Sequence, residues 1–289
     1  MNNKKAKLKL DGLYGVLELT GEDVREFLHN QLSADITTLA IGQSRLAAYC
    51  DPGGRVLAVV LVYCAADNQM LAILNRQLAG SIVQRLRMFI LRARVEVQEI
   101  SGKYRIYGSQ GQTDIQPAFH IPLPPPANRN LLLFPANLTL PEEFTDTLID
   151  EPIWRQRDIE MGLCWLNPGT SGRFLPQMLG LVELAAVSFN KGCYPGQEVI
   201  AKIHYRGTVK RRLIPVAVKG KEPVELPAEI VAGDREQDQR KAGWLIDEIT
   251  LQDNRLQGLA VLNTKTINSD QMLRLADGRC IERLHIPVN

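Results

Sequence analysis

A chain of 289 residues is long for one ordinary unit, and at roughly 100 to 200 residues per domain it calls for two or three packed units. Its 45% hydrophobic and 23% charged residues exclude a disordered or fibrous chain, and a formal charge of +2 excludes bulk attraction to nucleic acid, so any RNA role would have to be local or indirect. Five cysteines, far apart, with no Cys-x-x-Cys pair and no Cys/His cluster, argue against a disulfide framework or a metal site and read as reduced thiols.

The opening MNNKKAKLKL has lysines but no continuous apolar run after them, so no secretory leader is expected. The longest apolar run, residues 56–66, is shorter than the roughly 20 residues of a membrane helix. A cytoplasmic protein without a membrane partner is expected.

Residues 6–19 alternate apolar and polar side chains, the pattern of two short strands or one bent one. Thr20 and Asp23 have the spacing of a helix cap, and Val24, Phe27, Leu28, Gln31 and Leu32 mark one helical face. Residues 45–50 and 55–64 flank DPGG and predict a hairpin. Residues 70–75 predict another strand, with Asn75 capping a helix through about Leu91 whose buried face holds Leu78, Ile82, Leu86, Phe89 and Ile90. Arg85, Arg87, Arg92 and Arg94 read as a solvated face, with a phosphate site as the alternative.

Further strand is expected over 95–107, and the proline-rich 121–130 reads as a stiff extended connector able to separate subdomains. Short helices, or one interrupted before Pro152, follow, and then a turn-rich loop. Beyond Gly207, short strands alternate with Gly, Asp and Asn turns, the pattern of a small antiparallel barrel. The expected division is an α+β region over 1–120, a second over 121–207 and the barrel over 208–289.

The stretch KGCYPGQE, residues 191–198, has the densest chemistry. Pro195 and Gly196 make a tight turn, and Gln197 and Glu198 suit the first turn of a helix. Cys193 then lies just outside a helix N-terminus near Lys191, and both neighbours favour a thiolate. The other reading is an inert small residue in a turn. His204 is too distant in sequence to fix a Cys/His pair. GxSxG, HExxH, P-loop and GxGxxG spacings are all absent.

KGCYPGQEVIAKIHYRGTVKRRL resembles the signature of the YgfZ-type folate-binding proteins, relatives of the glycine-cleavage aminomethyltransferases. The matching positions are Lys191, Gly192, Cys193, Tyr194, Gly196, Gln197, Glu198, Lys202, Arg206, Gly207 and Lys210. FLHNQLSADI, CDPGGRVL, TSGRFLPQM and ELAAVSFNKGC extend the resemblance along the chain. It implies a ring of two antiparallel, ferredoxin-like α+β subdomains, partly discontinuous in sequence, plus a C-terminal β-barrel, with tetrahydrofolate or a related folate in a central channel bound mainly by the N-terminal region. It also implies support of iron–sulfur cluster assembly or repair, and through it of tRNA modification, with iron–sulfur proteins or assembly factors as partners and no direct nucleic-acid binding.

Aromatic rings can sandwich a pteridine, and cations can meet the anionic tail. On the resemblance, Tyr14, where the family usually has Trp, and Trp154 are the candidate stacking residues. Gln197, Glu198 and Arg206 are candidate folate contacts, with helix capping and a solvated surface as their structural readings. Cys193 is the candidate functional thiol, assisted by Lys191. The alternatives are a folate-dependent aminomethyltransferase and a non-enzymatic scaffold that has lost folate binding.

Overall fold

Antiparallel pairing of apolar strands builds the first layer of the computed structural model, which describes residues 9–110, 116–125, 127–139, 148–233, 236–251 and 255–284. Strands β1 (Tyr14–Thr20), β2 (Ser44–Cys50), β3 (Val56–Ala66), β4 (Gln69–Asn75) and β5 (Glu96–Glu99) form one sheet in the order β2-β3-β4-β1-β5. The β2–β3 hairpin turns at DPGG as its residues predict. β3 is buried along nearly its whole length, as befits a strand covered on both faces. Helices α1 (Val24–Gln31) and α2 (Ala79–Arg87) belong to this unit and bury Val24, Phe27 and Leu28, and Ile82, Val83 and Leu86.

Both helices differ in detail from expectation. Thr20 is taken by strand pairing with Gln69 and Glu96, so the cap position falls to Asp23. The Asp23 carboxylate accepts the Arg94 backbone N–H at 2.8 Å instead of a helix amide. Asn75 caps as predicted, accepting the Gln77 N–H at 2.9 Å, but into a 3-10 turn that precedes α2. α2 stops at Arg87, whose guanidinium donates to the Val97 carbonyl of β5 at 2.7 and 3.1 Å. The chain turns there, leaving Met88, Phe89 and Leu91 exposed where burial of Phe89 was expected.

The second sheet contains β6 (Tyr104–Gln110), β7 (Phe119–Pro122), β8 (Arg129–Pro135) and β9 (Leu148–Ile149), in the order β7-β8-β6-β9. The proline-rich stretch is not an extended spacer between subdomains. It joins β7 to β8, which pair from Phe119↔Leu133 to Pro122↔Asn130 within one sheet. Proline is tolerated there because β7 is an edge strand. The division expected at 120/121 falls inside β7. Helix α3 (Glu151–Glu160) follows, with Pro152 in its first turn, where a missing N–H costs nothing.

After helix α4 (Gln197–Arg206), strands β10 (Arg211–Val218), β11 (Ala228–Ala232), β12 (Arg240–Thr250), β13 (Leu256–Asn263), β14 (Leu273–Leu275) and β15 (Cys280–Arg283) close a barrel in the order β10-β13-β12-β11-β14-β15. Its interior holds Val216, Ile230, Leu245, Ala260, Leu262 and Leu275. A second core runs through both sheets and reaches the barrel at Ile246, Ile249, Leu259 and Val261. The architecture is therefore α+β, with two antiparallel sheet units and a C-terminal antiparallel barrel. Among the described residues no helix is long and apolar enough to cross a membrane.

Candidate functional site

Trp154 and Asp158 stand one turn apart on α3 and share a face. That face meets Tyr14 at the start of β1 and Arg129 at the start of β8. Arg129, 1% exposed, donates to Asp158 Oδ1 at 2.7 Å and to the Trp154 carbonyl at 2.9 Å, and its guanidinium carbon lies 4.5 Å from the indole centroid. Trp154 Nε1 donates to the Tyr14 hydroxyl at 2.8 Å, which donates to Asp158 Oδ2 at 3.3 Å. Trp165 Nε1 also donates to Asp158 Oδ2, at 3.1 Å.

Asp158 is thus the acceptor on which four side chains converge directly or in relay. Burial raises its pKa to about 6 despite the lowering effect of Arg129. Burial, then the Asp158 charge, raises the Tyr14 phenol well above its ordinary value.

Above this network lies a cavity of about 240 Å³ lined by Tyr14, Asp158, Trp165, Asn75, Arg155 and Asp247, among others. It draws residues from the first sheet, from α3 and the loop after it, and from the barrel. Asp247 follows an irregularity in the β12–β13 pairing, the kind of bulge that re-aims a side chain. Arg155 donates to Asp247 Oδ1 at 2.8 Å and to the Glu248 carbonyl at 2.6 Å, tying α3 to the barrel at the rim. Burial raises the Asp247 pKa and Arg155 opposes it.

Tyr14 lines the cavity; Trp154 does not. The Trp154 indole is fully buried, and a Cβ on Gly108 would come within 2.3 Å of its ring, so the β6 backbone lies directly against it. It supports the Tyr14 hydroxyl from behind. Trp165, half-buried and edge-on to Tyr14 at 5.0 Å, is the indole that faces the cavity. Sequence reasoning missed Arg129, Arg155, Asp158, Trp165 and Asp247. Two arginines and an aspartate interleaved in WRQRD were the available signal.

The KGCYPGQE segment forms a separate cluster against α1 and the β2–β3 hairpin. Lys191 Nζ donates to the carbonyls of His29, Leu32 (2.6 Å) and Ala34 (3.1 Å), at and just beyond the C-terminal end of α1. It is an anchor, and burial lowers its pKa to about 8. Its ammonium also lies 5.0 Å from the ring centroid of Tyr194, which is buried. Cys193 is held between these two fastened neighbours and is itself exposed.

Gly196 caps α4 with a left-handed φ of +83°, and a Cβ there would lie 2.5 Å from the Gly54 Cα. Gly196→Ala adds a left-handed strain of about 1–2 kcal/mol and an overpacking cost of about 1–3 kcal/mol. It is expected to lower the denaturant midpoint by an amount equivalent to about 3 kcal/mol at unchanged slope. An unchanged midpoint would show that the turn does not need its close seat on the hairpin.

Gln197 donates its amide to the Lys191 carbonyl at 3.4 Å, Glu198 is exposed in the first turn of α4, and Arg206 is exposed in its last turn. None of these three, nor Cys193, lines the Tyr14 cavity. His204 stacks on Phe189 with centroids 3.8 Å apart.

No protein-family model matches the chain. A protein of Haemophilus influenzae described as uncharacterized is 31% identical over 278 residues, which are 95% of this chain and 95% of the relative. The tRNA-modifying protein YgfZ of Hamiltonella defensa is 28% identical over 286 residues, covering 91% of this chain and 84% of its own. YgfZ of Yersinia pestis is 28% identical over 291 residues, covering 91% and 86%. Among solved structures, the glycine cleavage system aminomethyltransferase T from Bartonella henselae superposes with a TM-score of 0.69 over 96% of this chain and 84% of its own, at 14% identity, a likeness of fold.

Proposed function

The chain belongs to the YgfZ-type family, and from that footing we propose that it is a cytoplasmic accessory protein that binds tetrahydrofolate or a related folate. It supports iron–sulfur cluster assembly or repair, and through it tRNA modification, with Cys193 as its functional thiol. The observation that carries the folate reading is the Tyr14–Asp158–Trp165 cavity.

The donor set fits the ligand. A reduced pterin edge is rich in N–H donors, and Asp158 and Asp247 supply carboxylate acceptors in a buried wall. Trp165 supplies the stacking face, and Tyr14 packs edge-on against that indole and holds it in place. At about 240 Å³ the cavity is smaller than the roughly 300–1,000 Å³ that encloses a drug-sized ligand, so it takes the ring end and leaves the glutamate tail outside. Trp154 acts by holding Tyr14, and Arg129 by holding Asp158.

Cys193 serves a partner. It is exposed on a turn pinned by Lys191 and Tyr194, outside the cavity lining, so the thiol meets an iron–sulfur protein or assembly factor. One cysteine cannot furnish the usual four ligands of a cluster, which makes the contact transient or shared.

Titration with tetrahydrofolate is expected to be saturable. Trp165→Ala should weaken binding about 10-fold, the worth of one lost aromatic contact at about 1.4 kcal/mol, and Trp165→Phe should retain most of it. No saturable binding by the native chain would favour the scaffold reading. One-carbon transfer is the second reading, favoured by the aminomethyltransferase likeness of fold. Turnover of an aminomethyl-lipoyl carrier in a coupled assay would establish it.

A further inference from the structure

Between Lys202 and Arg212 the chain carries five cations and no carboxylate, so the rest of the molecule is net negative although the whole is +2. Lys202, Arg206, Lys210 and Arg212 are all exposed, from α4 to the first strand of the barrel. Lys210 lines a cavity of about 800 Å³ together with Arg240, Lys241 and Lys265, with Asp238 the one carboxylate among its described lining residues. Lys241 is paired with Glu229. Lys210, Arg240 and Lys265 have no carboxylate partner among the described residues. Thr208 and Thr264 line this cavity and also a second one of about 880 Å³, whose wall includes Arg212, His204 and Glu183. The two therefore adjoin at these threonines, as neighbouring segments of a groove along the barrel rim.

His204, in the wall of the second cavity, belongs to an aromatic cluster whose other members lie outside that wall. His204 is stacked on Phe189, and Tyr205 stands edge-on to both, with centroids at 4.9 and 5.9 Å. Tyr205 is 65% exposed. Cations that outnumber the carboxylates around them repel one another, so the arrangement is stabilised by an extended anion. Spaced cations beside hydroxyls suit successive phosphates, and an exposed ring suits an unstacked base. A compact anion would need neither the length nor the ring.

We propose that this groove binds a single-stranded segment of RNA, with phosphates at Lys210, Arg212, Arg240 and Lys265 and a base stacked on Tyr205. The whole-chain charge excludes only bulk attraction to nucleic acid and conceals this segregation, and the groove departs from the absence of direct nucleic-acid binding that the resemblance implied. No residue of the groove lines the Tyr14 cavity, so the proposal stands apart from the folate reading.

The test is fluorescence anisotropy of the full chain with a labelled, mixed-sequence RNA of roughly 12 nucleotides, over a salt series starting near 50 mM. Saturable binding is expected, with a log–log salt slope near −3 for about four phosphates at roughly 0.7 each. Lys210→Glu/Arg240→Glu/Lys265→Glu should reduce the slope by about 2 and weaken binding at least 10-fold, while Tyr205→Ala should weaken it about 5-fold with the slope unchanged. Tetrahydrofolate titration and thermal unfolding of both variants should match the native chain. The proposal is overturned by the lack of saturable binding, by equal affinity in the triple variant, by equal affinity for duplex of the same sequence, or by poly-glutamate competing as well as RNA.

Discussion

Cys193→Ser is expected to leave the folded chain and its folate titration unchanged and to reduce iron–sulfur enzyme activity in a complemented deletion strain to that of the empty vector. The side chain is exposed, and serine differs from it mainly in the atom that reacts. Surface substitutions of this kind move stability by about 0.5 kcal/mol or less. The turn is held by other groups, Lys191 on the α1 carbonyls, Tyr194 in the core and Gly196 against Gly54, and none of them depends on the thiol. Lost activity with unchanged unfolding therefore isolates the sulfur. Full rescue of the iron–sulfur enzymes by Cys193→Ser would remove the thiol from the mechanism. Lys191→Ala is a poor substitute for this experiment, because it releases three backbone carbonyls and the turn with them.

What the sequence made legible is local. DPGG, the strand alternation beyond Gly207 and the start of a helix at Gln197 each rest on a few consecutive residues, and each forms as read. Features that depend on distant partners were not legible. α2 gives way after Arg87 to tighter turns while the Arg87 guanidinium is tied to a carbonyl ten residues on, and Lys191 looks like a thiolate partner until α1, over 150 residues earlier, is folded beneath it. Of two tryptophans eleven residues apart, Trp154 faces the buried network and Trp165 the cavity. That choice is made by the packing of α3 against Gly108 and Arg129, which no periodicity in WRQRDIEMGLCW encodes. Total charge likewise reports a sum, and the groove along the barrel rim exists only in its distribution.

The Arg129–Asp158 pair gives the other large effect. Both side chains are almost fully enclosed, and removing one partner of a buried pair costs about 3–5 kcal/mol because the other is left uncompensated. Arg129→Met is therefore expected to lower the thermal midpoint by roughly 10 °C at pH 8.

The pH dependence has a definite sign. Asp158 has a folded pKa of about 6, above its ordinary carboxylate value, so near pH 5 the folded state holds a proton that the unfolded state has released. Its contribution to stability consequently falls as pH rises through about 6 and is constant above that. Arg129 lowers this pKa, so without it the folded value moves up and the fall continues toward pH 8. The deficit of Arg129→Met relative to the native chain should be small at pH 5 and large at pH 8. In Arg129→Met/Asp158→Leu the Asp158 carboxyl is gone, so that variant lacks the fall through pH 6 that the native chain keeps, and its deficit relative to the native chain should shrink, not grow, from pH 5 to pH 8. Denaturant titrations of the native chain and both variants at the two pH values decide it. Equal deficits for Arg129→Met at pH 5 and pH 8 would mean that Asp158 is not the group Arg129 holds ionised beneath the cavity.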